Sequence, residues 1–228
     1  MGMKTKVALG AVVGVVVIGA VSANGGGDDG GAKGGDKGSS ASAGQKPGTV
    51  KDSGAEAAEE KKVAFEGDGD FQVGSDIKPG TYRTTGNTDD MCYWERAKDA
   101  SGEMESLLAN DNVSGTSYVT IKDTDKLFTS SGCNDWEAVD TKAKGGSPAD
   151  KMAGSGGMYR VGVDIAPGTY KSTGNTDDMC YWERTKDSEH SLDSIIANNN
   201  VSGSAVVTIS ASDAYFKTSG CQDWKKTG

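Results

Sequence analysis

The chain has 228 residues, a formal net charge of −9 and a sequence pI near 4.7. This acidic balance argues against nucleic acid as a partner, because sequence-independent binding to phosphates needs clustered Lys and Arg.

The first 23 residues resemble an export signal. Lys4 and Lys6 precede an apolar run from Val7 to Val21, and the small residues Ser22 and Ala23 follow it. A basic start, a short apolar stretch and a small-residue exit are typical of a secretory signal, and a spanning helix needs about 20 apolar residues. Residues 1–23 are therefore predicted to be a signal peptide or, if retained, an N-terminal membrane anchor, which would be the only membrane contact. Either way, the rest of the chain is predicted to be outside the cell.

Residues 24–62 consist mainly of Gly, Ala, Ser, Asp and Lys, with almost no large apolar side chain. Such a composition cannot bury enough surface to offset the entropy of ordering the chain. We therefore predict a disordered tether, which would span roughly 35 Å as a Gly-rich coil.

The remainder of the chain contains an internal duplication. Residues 71–136 align with residues 159–224 without a gap at an offset of 88, and 39 of 66 positions are identical. The longest identical run covers residues 85–96 and recurs at residues 173–184. The duplication therefore predicts two copies of one small domain.

We place repeat 1 at residues 63–136 and repeat 2 at residues 158–228. Residues 137–157 between them are mainly Gly, Ala, Lys and Ser. This composition predicts a flexible linker that spans roughly 25 Å. The two repeats are accordingly predicted to move independently.

Short runs rich in Val, Ile, Thr, Tyr and Phe alternate with turn-forming clusters in repeat 1. Strands are predicted at residues 71–74, 81–85, 91–97, 105–110, 116–122 and 126–129. Residues 86–90 and 111–115 are predicted turns, since they are rich in Gly, Asn and Asp. Regularly spaced short strands predict an all-β fold, with two tandem small disulfide-stapled β-sandwich or open-barrel domains after the tether.

Each repeat contains two cysteines, at matching positions, and the chain has no others. Four cysteines allow three pairings, and repeats that fold independently favour Cys92 with Cys133 and Cys180 with Cys221. Domains this small are marginally stable without such a bridge. The alternative is a four-cysteine zinc site, but the Cys-x-x-Cys spacing is absent and export favours oxidation.

Duplicated carboxylates are the candidates for catalysis or metal binding. Two acids held about 5 to 9 Å apart could hydrolyse a glycoside, although Asp in a turn commonly bonds to its own backbone. The matching acids are Asp89, Asp90 and Glu95 in repeat 1 and Asp177, Asp178 and Glu183 in repeat 2. Ca²⁺ prefers several oxygen ligands. The weak metal candidates are Asn87, Asp89, Asp90, Asn175, Asp177 and Asp178. Beyond these, we predict no metal site, no catalytic residue and no cofactor.

The single histidine, His190, aligns with Gly102 of repeat 1. A mechanism that both repeats share cannot use it as a base or as a metal ligand. We interpret His190 as a loop residue.

The aromatic residues after the first cysteine are the best candidates for ligand contact. If residues 91–96 form a strand, alternation places Trp94 on the face of the cystine and Tyr93 and Glu95 on the opposite face. Trp94 is therefore predicted to be in the core. An exposed Tyr can stack on a sugar or anchor a peptide. The predicted ligand contacts are Tyr93, Glu95, Tyr181 and Glu183.

Three sequence motifs resemble a known domain. The motifs are VGSDIKPGTY at residues 73–82, CYWER at residues 92–96 and GC at residues 132–133. Together they resemble a small extracellular domain of actinobacterial secreted proteins and lipoproteins, and more loosely the Gly-x-Asp-Ile-Pro-Ala-Gly-x-Tyr β-domains of other Gram-positive surface proteins. The resemblance covers both repeats and implies little about function, because those families are mostly uncharacterised.

The duplication and the lack of a catalytic constellation favour a non-enzymatic tandem binding module at the bacterial cell envelope. A cell-wall polymer or a surface protein would be its partner, and two tethered sites would raise avidity above single-site affinity. The alternatives are an inert structural or spacer protein on the cell surface and a carboxylate-based hydrolase.

Overall fold

The computed structural model describes residues 63–228, apart from the side chains of Asp89 and Asp177. The predicted signal or anchor and the predicted tether lie outside the described residues. The strands are β1 (Val63–Phe65), β2 (Gly69–Gln72), β3 (Gly80–Ala97), β4 (Leu107–Ile121), β5 (Leu127–Ser131), β6 (Trp136–Ala138), β7 (Lys151–Met152), β8 (Gly156–Arg160), β9 (Gly168–Thr185), β10 (Ile195–Ile209), β11 (Tyr215–Ser219) and β12 (Trp224–Lys226). Two 3₁₀ turns cover Met104–Ser106 and Leu192–Ser194. Within residues 63–228, no helix is long and apolar enough to cross a membrane.

Each repeat forms one six-stranded antiparallel sheet, which confirms the predicted all-β fold. In repeat 1 the order is β1-β6-β3-β5-β2, and β4 pairs with the other edge of β3. Repeat 2 has the same arrangement, with the order β7-β12-β9-β11-β8 and β10 beside β9. The long strand β3 pairs with β6 near its start and with β5 near its end. The sheet therefore curls around this strand.

Residues 86–90 and 111–115, which we predicted as turns, instead lie inside β3 and β4. The register of the ladder shifts on both sides of Asn87, which pairs with Gly115 and donates from its amide to the Gly115 carbonyl at 3.0 Å. Gly86 and Gly115 have φ values of 78° and 75°, a region that glycine adopts freely. The turn-like composition therefore marks bulges at which two paired strands bend together.

The core of repeat 1 forms around its disulfide. Cys92 and Trp94 are fully buried, as are Phe128 and Trp136. Trp94 stacks on Phe128 with ring centroids 6.1 Å apart, and Phe128 meets Trp136 edge to face at 5.4 Å. Trp94 thus lies in the core with the cystine, as strand alternation predicts.

Both disulfides lie within a repeat. Cys92 bonds to Cys133, and Cys180 bonds to Cys221, with a Cα–Cα distance of 4.2 Å in each bridge. This is the pairing that the duplication predicts. It leaves no thiolate for the alternative zinc site.

The two repeats pack against each other, which differs from the predicted independent motion. Tyr118 of β4 packs on Tyr215 of repeat 2, with ring centroids 5.1 Å apart. Its hydroxyl donates to Asp164 at 2.7 Å, and Met158 completes the buried cluster. The two repeats use different surfaces in this contact, so it is head to tail. Tyr118 of β4 is buried in it, whereas Val206, the aligned residue of β10, is exposed.

A loop of repeat 2 extends this interface. The Ser188 carbonyl accepts from the Thr120 N–H at 2.8 Å, and the Glu189 carbonyl accepts from Arg96 at 2.8 Å. The carboxylate of Glu189 forms an ion pair with Lys122 at 2.8 Å. Ser188 and Glu189, two consecutive loop residues, therefore hold the loop on repeat 1 through backbone hydrogen bonds and a charge pair.

His190 lies in this loop and contacts repeat 1, a role that the alignment with Gly102 concealed. Its ring meets Trp94 edge to face with centroids 4.7 Å apart, and Nε2 lies 2.8 Å from the carbonyl oxygen of Tyr118. Because a carbonyl only accepts, Nε2 carries the hydrogen. The φ of His190 is 56°, which residues other than glycine rarely adopt. The contacts with repeat 1 offset this backbone cost.

Residues 137–157, which we predicted as a flexible linker, contain strand residues. β6 extends to Ala138, β7 covers Lys151–Met152 and β8 begins at Gly156. β7 pairs with β12 as β1 pairs with β6, so repeat 2 begins inside the predicted linker. Gly156 allows close packing of the two repeats, because a Cβ at this position would lie 2.6 Å from the Cβ of Ser114.

Giving the contact loop the residues of repeat 1, through Ser188→Ala, Glu189→Ser and His190→Gly, should release the repeats from each other. Glycine suits the positive φ at position 190, so the loop is expected to keep its conformation. We expect faster hydrogen exchange at the Thr120 amide and a larger radius of gyration in X-ray scattering.

The control is Ala100→Ser with Ser101→Glu, at the aligned and exposed positions of repeat 1. Both measurements should then remain as in the wild type. If exchange and radius are equally unchanged in the triple variant, the loop does not hold the interface.

Candidate functional site

Repeat 1 has a concave surface between its sheet and the loop after β3, which we call groove 1. Its volume is about 450 Å³, within the usual range of ligand sites. The floor comes from β3, β4 and β5, and the wall comes from residues 99–107. The predicted contacts Tyr93 and Glu95 both lie in this groove.

Tyr93 and Glu95 are joined by a hydrogen bond. They are two residues apart on β3 and therefore share a face of the sheet. The Tyr93 hydroxyl donates to Glu95 Oε2 at 2.6 Å and accepts from the Asn110 amide at 3.4 Å. Partial burial, followed by the contact with Glu95, raises the pKa of Tyr93. The phenol is therefore protonated and held in place at neutral pH.

The wall of groove 1 is held by Asp99. Its carboxylate accepts from the Ser101 N–H at 3.0 Å and from the Ser106 hydroxyl. The bonds from Ser101 and then Ser106 lower the pKa of Asp99 to about 2. These bonds tie the start of the loop to the 3₁₀ turn and so set the shape of the wall.

Groove 1 is acidic and partly apolar. Met104, Leu107 and Leu127 supply apolar surface. The carboxylates along the groove are Asp70, Glu95, Asp99 and Glu103. None of the lining residues is Lys, Arg or His. This surface suits a ligand with an apolar face and several hydrogen-bond donors.

The aligned surface of repeat 2, which we call groove 2, is a cavity of only about 120 Å³. Larger side chains occupy it: Met158 aligns with Asp70, His190 with Gly102 and Lys217 with Thr129. Asn110 of repeat 1 closes one side. The packing of the repeats therefore makes two homologous surfaces unequal.

The predicted contacts of repeat 2 are also joined. Tyr181 donates to Glu183 Oε2 at 2.6 Å and accepts from Asn198 at 3.2 Å. Burial, followed by the hydrogen bond to Glu183, raises the pKa of Tyr181 to about 12. Glu183 is only 8% exposed, whereas its counterpart Glu95 is partly exposed.

The weak metal candidates have structural roles where their side chains are described. Asn87 accepts from the Asn134 N–H at 2.8 Å through its amide oxygen, and Asn175 accepts from the Gln222 N–H in the same way. Asp90 accepts from the Ser114 hydroxyl, as Asp178 does from Ser202. The side chains of Asp89 and Asp177 are not described. Among the described side chains, no group of three or more His, Cys, Asp or Glu could hold a metal ion.

Two sets of residues at these surfaces were not predicted from the sequence. Asn110 and Asp99 recur in repeat 2 as Asn198 and Asp187, so identity between the repeats was an available signal. The residues of the interface show the reverse pattern, because their side chains differ between the two repeats. Tyr118 and His190, for example, align with Val206 and Gly102.

These features define an all-β protein of two tandem domains, each with its own disulfide. The Rv1352-like extracellular domain family matches residues 63–137 and again residues 150–225. The chain belongs to this family. The double match confirms the resemblance to extracellular actinobacterial domains and the predicted location outside the cell.

The relatives have no established function. "Uncharacterized protein Rv1352" of Mycobacterium tuberculosis is 30% identical over 82 residues, which are 31% of this chain and 67% of the relative. "Uncharacterized protein Mb1387" of Mycobacterium bovis matches to the same extent. No solved structure matches the chain. The comparisons indicate no enzymatic family.

Proposed function

We propose that this protein is a non-enzymatic binding module of the bacterial cell envelope and that groove 1 holds its ligand. The observation that carries the proposal is the size and lining of groove 1. A volume of about 450 Å³ accommodates one sugar unit with a few further atoms of an attached peptide. Tyr93 and Glu95 are pre-ordered by their mutual hydrogen bond, so binding would cost little side-chain entropy.

The chemistry of the groove favours a cell-wall polymer as the ligand. Carbohydrates present apolar ring faces and many hydroxyl donors, which match an aromatic ring beside carboxylate acceptors. Tyr93 offers the ring, and Glu95 and Asp70 offer acceptors. A repeating polymer would also reach a groove that is open at the surface.

Binding is expected to depend on repeat 1 much more than on repeat 2. Tyr93→Ala with Glu95→Gln should weaken retention of the full chain on purified peptidoglycan by at least about tenfold, the usual effect of losing a central aromatic contact. The matched control is Tyr181→Ala with Glu183→Gln, which alters the smaller groove 2. Its retention should stay within about twofold of the wild type. Sedimentation of the bound fraction over a range of polymer concentrations measures both.

The alternatives predict different results. An inert spacer would show negligible retention of the wild type on every envelope polymer. A hydrolase would release soluble fragments from the polymer, which mass spectrometry of the supernatant detects. Equal weakening by the two pairs of substitutions would show that groove 1 has no special role.

A further inference from the structure

Groove 2 is a second and chemically different cavity, formed by both repeats. Its volume is about 120 Å³, against about 450 Å³ for groove 1. Glu183, Asp187 and Lys217 line it from repeat 2, and Asn110 lines it from repeat 1. Leu192, which is 88% exposed, lies at its rim. The cavity is therefore accessible from the surface.

Glu183 presents a buried carboxylate whose hydrogen bonding is incomplete. The residue is only 8% exposed, and Oε2 accepts from the Tyr181 hydroxyl at 2.6 Å. Among the described residues, nothing donates to Oε1. Oε1 is not sealed from solvent, and water in the cavity can reach it. A ligand that donates a hydrogen bond to Oε1 would take the place of that water.

His190 and Lys217 are the other lining groups that could carry a positive charge near Glu183. Because His190 donates through Nε2 to the Tyr118 carbonyl, a neutral ring leaves Nδ1 as an acceptor. Burial, and then the charge of Lys217, lower the pKa of His190 and so favour the neutral ring. Lys217 is itself paired with Asp111 at 2.7 Å. Although Lys217 lies opposite Glu183 in the ladder between β11 and β9, its ammonium is taken by Asp111, and Glu183 forms no ion pair among the described residues.

We propose that groove 2 binds the end of an unbranched primary amine, as in a lysine-type side chain, with Glu183 as the counter-ion. A primary ammonium carries three donors and one positive charge, which match the acceptors and the unpaired carboxylate. The small volume suits an aminomethyl end better than a hexose ring. This inference is independent of the binding proposed for groove 1, because it rests on a separate cavity.

His190 makes the proposal testable in the full-length protein. It is the only histidine of the chain, so its ring signals in nuclear magnetic resonance spectra are unambiguous. At pH 7.5 and constant ionic strength, ethylammonium should shift these signals saturably. Ethanol, which is neutral and of similar size, and glucosamine, which carries an amine on a hexose ring, should not. An equal shift with ethanol would show that charge is irrelevant, and an equal shift with glucosamine would refute the unbranched amine.

Two substitutions test whether ethylammonium shifts the His190 signals by binding in groove 2. Glu183→Gln should weaken ethylammonium binding at least tenfold, and the matched Glu95→Gln in groove 1 should leave it unchanged. The ligand-free ring signals of His190 in Glu183→Gln should stay at their wild-type positions, which checks that the interface is intact. If Glu183→Gln perturbs these signals, the comparison of ethylammonium with ethanol in the wild type decides the question. No saturable shift in the wild type, as expected of a cavity that holds only water, would overturn the proposal.

Discussion

Arg96→Ala should lower the free energy of unfolding of repeat 1 by about 3 to 5 kcal/mol, the usual effect of removing one partner of a buried ion pair. Arg96 binds Asp125 through two hydrogen bonds of 2.6 Å and 3.1 Å. The side chains are 4% and 0% exposed. Without Arg96, the Asp125 carboxylate would stay buried with only the Lys122 N–H, 2.9 Å away, as a donor. Hydrogen exchange at increasing denaturant, resolved by repeat, measures the loss.

The same change in repeat 2 provides a control. Arg184 binds Asp213 with similar geometry, but its side chain is 21% exposed. Arg184→Ala should therefore destabilise repeat 2 by a smaller amount. Arg96 also donates to the Glu189 carbonyl of repeat 2, so only Arg96→Ala should speed exchange in that loop. Equal losses from both variants, with no change in the loop, would contradict the proposed difference in burial and contact.

Removing the disulfide of repeat 1 by Cys92→Ala with Cys133→Ala should cost about 4 kcal/mol, because the unfolded chain regains the entropy of an open loop. The bridge closes a sequence separation of 41 residues. A loss of this size is close to the whole stability of a marginally stable domain. The unfolding midpoint of repeat 1 in urea, followed by hydrogen exchange, should fall sharply.

Cys180→Ala with Cys221→Ala is the reciprocal variant, since that bridge has the same separation. It should lower the midpoint of repeat 2 first. Because Tyr118 packs on Tyr215 across the interface, each variant should also weaken the other repeat slightly. An unchanged midpoint in the altered repeat would mean that its sheet is stable without the bridge.

Local rules were sufficient where a residue's environment depended on its own strand. Alternation along β3 predicted that Trp94 is buried and that Tyr93 shares a face with Glu95, and the hydrogen bond between the latter pair follows from that geometry. The turn predictions at residues 86–90 and 111–115 were wrong for a related reason. Glycine and asparagine permit either a chain reversal or a bulge, and only the partner strand selects between them.

Strand alternation and turn composition could not predict contacts between distant parts of the chain. The alignment of His190 with Gly102 argues against its use in a mechanism common to both repeats. It did not reveal that His190 packs on Trp94, because that contact joins residues of different repeats. The glycines of the predicted linker looked like signs of flexibility, although Gly156 allows the close approach of Ser114.

The sequence by itself determined the number of domains, their all-β class and their disulfide pairing, because these follow from a duplicated pattern of short strands and cysteines. It also placed Tyr93 and Glu95 on one face of the same strand. Only the tertiary structure decided that the two repeats are unequal. Groove 1 is open and groove 2 is small because the repeats pack head to tail, and that asymmetry arises from side chains such as Tyr118 and His190 that only one repeat carries.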